Sequence, residues 1–152
     1  MQTFVPLSSS YSECARVLDR ARLGKQRVEC KQIYFALTNP NYGWQNHPAV
    51  RMWRGEEYAL ACYGKAICRE WQSRGYKDSL LQYFTDIAVA LEPPGHAVKA
   101  YPTWWGGPVH LSHRLKLLWK NGNYSQYFNE PIPTTEPEYF WPTSTRFTNP
   151  IA

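Results

Sequence analysis

Val50, Trp53, Leu60, Tyr63, Ile67 and Trp71 recur at helical spacing and form the longest clean apolar periodicity in the chain. Most of a helix's stability comes from burying such a face, so the chain must close other helices around this one. Pro48 in the first turn, with Asn46 or His47 as cap, sets its start, and Gly75 after Arg74 marks its end.

The flanking segments repeat the pattern. Ser10 with Glu13 makes a capping box for a first helix that runs to Asn39 and Pro40, with Cys14, Val17, Ala21, Val28 and Phe35 on its core side. Ser79 with Gln82 opens a third helix carrying Leu81, Phe84, Ile87 and Leu91, which stops before "EPPG". A connector rich in proline and glycine then reaches a shorter basic helix, "VHLSHRLKLLWKNG", with Leu111, Leu115 and Leu118 inward. The tail from Tyr124 holds Pro131, Pro133, Pro137, Pro142 and Pro150 and reads as an ordered aromatic loop. No segment reads as a strand and there is no internal repeat. The expected fold is all-α, a single domain over residues 1–152 with three main helices, a short basic helix and an aromatic, proline-rich C-terminal loop. A chain of 152 residues can bury a core without metal or disulfide staples.

Charge narrows the partners. Lys and Arg number 17 against 12 Asp and Glu, a net of +5 that favours a polyanion. The excess is local: Glu13 to Lys31 holds six basic residues against three acids, and His110 to Lys120 holds three against none, with two histidines added. Cys14, Cys30, Cys62 and Cys68 form no CxxC pair, and "MQTFVPLSSS" lacks the basic start and apolar core of a signal peptide. Reduced thiols in the cytoplasm are expected. No apolar run reaches the roughly 20 residues that span a bilayer, so no membrane partner is expected.

"LDRARLGKQRVE", residues 18–29, concentrates the basic character. On a helical wheel Asp19 and Gln26 lie opposite the apolar stripe, with Arg20 and Arg27 on one flank and Arg22, Lys25 and Glu29 on the other. Cations arranged so suit phosphates, which give affinity and register rather than sequence choice. Asp19, ringed by arginines, is expected to stay ionised. Gly24 takes a side chain off this surface, for a close neighbour or a bend.

In collinear order the blocks "LDRARLGKQRVE", "HPAVRMWRGEEYALACYGKAICREWQSRGYKD" and "HLSHRLKLLWKNGNYSQYF" resemble the pyrimidine-dimer DNA glycosylases, and together they span most of the chain. The resemblance implies a small all-α fold that kinks duplex DNA, turns a base out of the stack and attacks C1′ with an amine at the chain's N-terminus. A carboxylate on the first helix assists, arginines hold phosphates, and the resulting imine allows strand cleavage. It implies no metal or organic cofactor, and the partner is double-stranded DNA with a damaged or modified pyrimidine, bound by a monomer.

Carried onto this sequence, the amine is that of Met1 or, failing that, the Lys25 side chain, because Gln2 is too bulky for efficient removal of the methionine before it. The carboxylate is Asp19 by position or Glu29 by residue type. Candidates for DNA contact are Arg20, Arg22, Gln26, Arg27, Trp44, His47, Arg51, His110, His113 and Arg114, and Trp44, Trp104 and Trp105 are candidates for a wedge at the flipped base. His47 is also a helix cap, and His110 and His113 suit phosphate contact or a core hydrogen bond. Two rival readings stand beside this one: a duplex DNA-binding module without chemistry, and a zinc protein using His110, His113 and cysteines.

Overall fold

The computed structural model describes residues 1–92 and 100–145. Residues 93–99 of the connector and the end of the tail, including Pro150, lie outside the described residues. Among the described residues six α-helices and a 3-10 helix carry the fold: α1 (Tyr11–Val17), α2 (Arg20–Thr38), α3 (Pro48–Arg51), α4 (Glu57–Ser73), α5 (Leu81–Leu91), α6 (Val109–Lys120) and the 3-10 helix (Gly122–Gln126). No strand occurs among the described residues, and no helix is long and apolar enough to cross a membrane.

The central stripe holds. Val50, Trp53, Leu60, Tyr63 and Ile67 are all fully buried, and α4 packs against α1, α2 and α5. His47 caps α3, its Nδ1 accepting from the Ala49 N–H at 3.0 Å. Gly75 ends α4 at a φ of 92°, a left-handed turn that glycine takes at no steric cost. The expected single helix is instead α3 and α4, parted by a turn at Gly55, whose φ is 85°.

Three expectations of register are corrected. The first helix breaks at Leu18 and Asp19, because Asp19 caps α2 by accepting from the Arg22 N–H at 3.1 Å. The apolar stripe laid across both helices therefore fails beyond Val17: Ala21, Val28 and Phe35 are exposed, while Leu23, Gln26, Glu29, Cys30, Ile33 and Ala36 face inward. The N-cap of α5 is Leu80 rather than Ser79, and the leading N–H groups of Leu80 and Leu81 donate to Asp78 Oδ2 at 3.0 and 2.6 Å; Leu91 is exposed. In α6 Leu111 is exposed, and the inward side is formed by Val109, His113, Leu117 and Leu118.

Gly24 is explained by a close neighbour: a Cβ there would stand 2.9 Å from the Trp71 ring. That indole also lies under the Arg27 guanidinium at 5.1 Å.

The N-terminal segment is extended yet buried, so its peptide groups need partners from side chains. Gln26, Glu29, Tyr63 and His113 supply them. The Val5 N–H donates to His113 Nδ1 at 2.9 Å, His110 Nδ1 meets the Val5 carbonyl at 2.7 Å, and Thr3 Oγ1 accepts from Trp53 Nε1 at 2.8 Å. The tail crosses the same region. Lys116 Nζ donates to Glu136 and to the Pro137 carbonyl at 2.8 and 2.9 Å and lies 4.6 Å from the Tyr139 ring centre, and Arg114 pairs with Glu130.

Candidate active site

Where the start of the chain, α2, the end of α6 and the tail meet, they enclose a cavity of about 560 Å3. Met1, Gln26 and Glu29 line it together with Arg22, Lys25, Lys120, His47, Tyr139 and Trp141. Each element contributes for a local reason. The buried side of α2 brings Gln26 and Glu29 towards the N-terminal segment, while Lys25, 73% exposed, reaches from the solvent side to within 3.7 Å of Glu29 Oε1.

Glu29 is held from two directions. Its Oε2 accepts from the main-chain N–H of Gln2 at 3.2 Å and from Gln26 Nε2 at 3.1 Å. The side chain is 9% exposed, so a carboxylate sits at the floor of a cavity whose rim carries Arg22, Lys25 and Lys120. Burial and then the nearby cations, Arg22 foremost, push the Lys120 ammonium below its ordinary value. The same crowding shows at His47, held low by burial and by the positive charge at the start of the chain. Such a rim favours an anionic partner, with the carboxylate beneath it.

Asp19 stands apart from this cavity. Its Oδ1 accepts from Arg22 Nη1 at 2.9 Å and from the Tyr124 hydroxyl in a short bond, and its N–H donates to the same hydroxyl at 3.1 Å. Burial works to raise its pKa, but the bonds from Tyr124 and Arg22 outweigh that and hold the carboxyl below its ordinary value. The side chain is therefore a charged cap and an anchor for Arg22, not the centre of an open cationic strip. It lines a separate, polar cavity with Arg74, Asn121, Tyr124 and Tyr127.

Several residues expected at a DNA surface are engaged inside the protein. Gln26 is 1% exposed and fully bonded within the core. Arg27 pairs with the buried Asp78 at 2.6 Å, and Arg114 is taken by Glu130 and the Pro6 carbonyl. His110 and His113 are buried, and burial followed by the charge of His110 pushes His113 down to about 3, so both rings serve as core hydrogen-bonding groups. Of the three wedge candidates, Trp104 is buried and donates to the Met52 carbonyl at 2.7 Å, and Trp105 donates to the Ser8 carbonyl at 2.9 Å. Trp44 alone of these is well exposed, at 53%, and it meets His47 edge-on beside the cavity. Arg20 and Arg51 are exposed, Arg20 over the Tyr76 ring.

Sequence reasoning missed Lys120, Tyr139 and Trp141 as parts of the site. Lys120 ends the basic helix and was visible as charge, and the two aromatics belong to the tail's aromatic crowd. Nothing in their spacing ties them to the start of the chain. As for metal, no cluster of three or more His, Cys, Asp or Glu suited to an ion occurs among the described residues.

The family model described as Pyrimidine dimer DNA glycosylase matches residues 1–83. That stretch holds the N-terminal segment, α2 with Arg22, Lys25, Gln26 and Glu29, and His47. No curated protein and no solved structure matches the chain.

Proposed function

Because the chain belongs to the pyrimidine dimer DNA glycosylase family, we propose that its cavity receives a damaged pyrimidine nucleotide turned out of duplex DNA and breaks the bond between base and sugar. The observation that carries this reading is the shared cavity of Met1 and Glu29 under a rim of Arg22, Lys25 and Lys120.

In the proposed reaction the unprotonated α-amino group of Met1 attacks C1′ of the flipped nucleotide. A C1′–N bond to the protein forms as the glycosidic bond breaks, and the base leaves with the bonding pair and takes up a proton. Positive charge on the sugar is greatest at this point, and the Glu29 carboxylate stabilises it. Glu29 then accepts the proton the amine has lost and returns it to O4′ as the ring opens, which leaves an imine between the protein and C1′. Loss of a proton from C2′ expels the 3′-phosphate and cuts the strand. These steps call on no metal or organic cofactor.

Arg22, Lys25 and Lys120 hold the phosphates flanking the flipped nucleotide, and Trp44 fills the gap it leaves. Tyr139 and Trp141 offer aromatic faces to the extruded base. Asp19 supports the site by fixing Arg22. Lys25 stands 3.7 Å from Glu29 and is the alternative amine.

Conversion of ultraviolet-irradiated duplex to alkali-labile sites tests the reading. The native protein should produce such sites at pyrimidine dimers, and Glu29→Gln should bind the same duplex and produce them at least about 100-fold more slowly. Binding without cleavage by the native protein would reduce it to a DNA-binding module.

A further inference from the structure

The Gln26 carboxamide uses both of its donors and its oxygen in one place. Oε1 accepts from the Phe4 N–H at 2.9 Å and lies 2.9 Å from the Tyr63 hydroxyl. Nε2 donates to the Gln2 carbonyl at 2.8 Å and to Glu29 Oε2 at 3.1 Å. Glu29 Oε2 accepts in turn from the Gln2 N–H. These bonds close a ring in which the two main-chain polar groups of residue 2 are tied, one to the carboxylate and the other to the side chain that orients it. Met1 directly precedes this tied residue, so its amine moves chiefly through the torsions of Met1 itself.

We infer that Gln26 is a positioning residue: its side chain holds the main chain of residues 2–4 and the Glu29 carboxylate in one frame, and thereby sets the approach of the chain's amine to C1′. The inference rests on the glycosylase reading above and deepens it. Glutamine is the side chain that fits. Leucine has neither donor nor acceptor, glutamate has no donor for the Gln2 carbonyl, and asparagine is one methylene too short to reach both Phe4 and Glu29. A misplacement of about 1 Å between reacting groups costs on the order of 100-fold in rate.

The test compares native protein, Gln26→Leu and Gln26→Asn in borohydride trapping at saturating abasic-site duplex, with duplex binding and melting temperature measured in parallel. Both folded variants should bind the duplex as the native protein does and, with every site occupied, trap it on the order of 100-fold more slowly. A merely structural glutamine would lower the melting temperature and leave the trapping rate at saturating duplex in place. Native kinetics at saturating duplex in either folded variant overturn the inference. Should the variants not fold, the side-chain amide resonances of Gln26 in the native protein decide. They should shift when the protein is trapped on the abasic duplex, and resonances indifferent to the adduct overturn the inference. A native protein that binds abasic duplex and forms no adduct overturns the reading of the site, and this inference with it; unchanged variant kinetics overturn the inference alone.

Discussion

The main-chain N–H of Gln2 donates to Oε2 of Glu29 across 3.2 Å, which ties the start of the chain to the buried side of α2. From this relationship it follows that Glu29, rather than Asp19, is the acid to remove. Glu29→Gln keeps the shape and can still accept from Gln2, so the fold should survive. Glycosidic cleavage should fall by about 100- to 10,000-fold, the range for a positioned general acid or base, with duplex binding unchanged. Asp19→Asn should stay within about tenfold of the native rate, since asparagine still caps α2. Base-release kinetics on irradiated duplex compare the two directly.

Asp19 should show itself in stability instead. Its folded pKa lies below the ordinary value because the bonds from Tyr124 and Arg22 overcome the effect of burial. The carboxylate therefore stabilises the fold above its unfolded pKa, and that contribution is lost as pH falls through the folded one. Asp19→Ala should cost about 1 kcal/mol at neutral pH for the lost cap. Urea melts at pH 7 and pH 3 should show the difference between native and variant shrinking at the lower pH.

His113 has a wider window. Burial pushes it down to about 3, so the folded state keeps the ring neutral while the unfolded chain protonates it below about 6.5. Stability contributed by the neutral ring is complete above that unfolded value and declines as pH falls towards the folded one. Thermal melts between pH 7 and pH 4 should show a falling midpoint, and His113→Gln, less stable at pH 7, should show a flatter dependence.

Gly24→Ala separates packing from helix propensity. Alanine should gain about 1 kcal/mol in a helix interior, but its Cβ would stand 2.9 Å from the Trp71 ring. Overpacking of this kind costs about 1 to 3 kcal/mol, and Trp71 is held by its donor bond to the Lys77 carbonyl at 2.9 Å. A net loss of stability is expected in chemical denaturation, and a gain would show that Trp71 yields.

Helix ends and the α4 core were legible because they depend on local chemistry: Ser10 accepts from the Glu13 N–H at 3.0 Å, His47 caps α3, and Gly75 turns left-handed. The side of α2 that faces inward was not. An apolar wheel puts Val28 and Phe35 inside and Gln26 and Glu29 outside, yet the opposite holds, because a buried extended segment needs polar partners that no periodicity reports. At Asp19 the charge is the weaker signal and its place before a helical run the better one, that of a cap. The resemblance supplied an amine and an acid but left two residues open for each role. The contact between Gln2 and Glu29 crosses 27 residues, a separation invisible to spacing.

The most direct measurement of the central claim is borohydride trapping of the native protein on irradiated and on abasic duplex, followed by mass spectrometry of the N-terminal and Lys25 peptides. The account predicts a covalent adduct on both duplexes, carried by the α-amino group of Met1 and formed at least about 100-fold more slowly by Glu29→Gln. An adduct on Lys25 with the N-terminal peptide unmodified, or no adduct on either duplex, would contradict it.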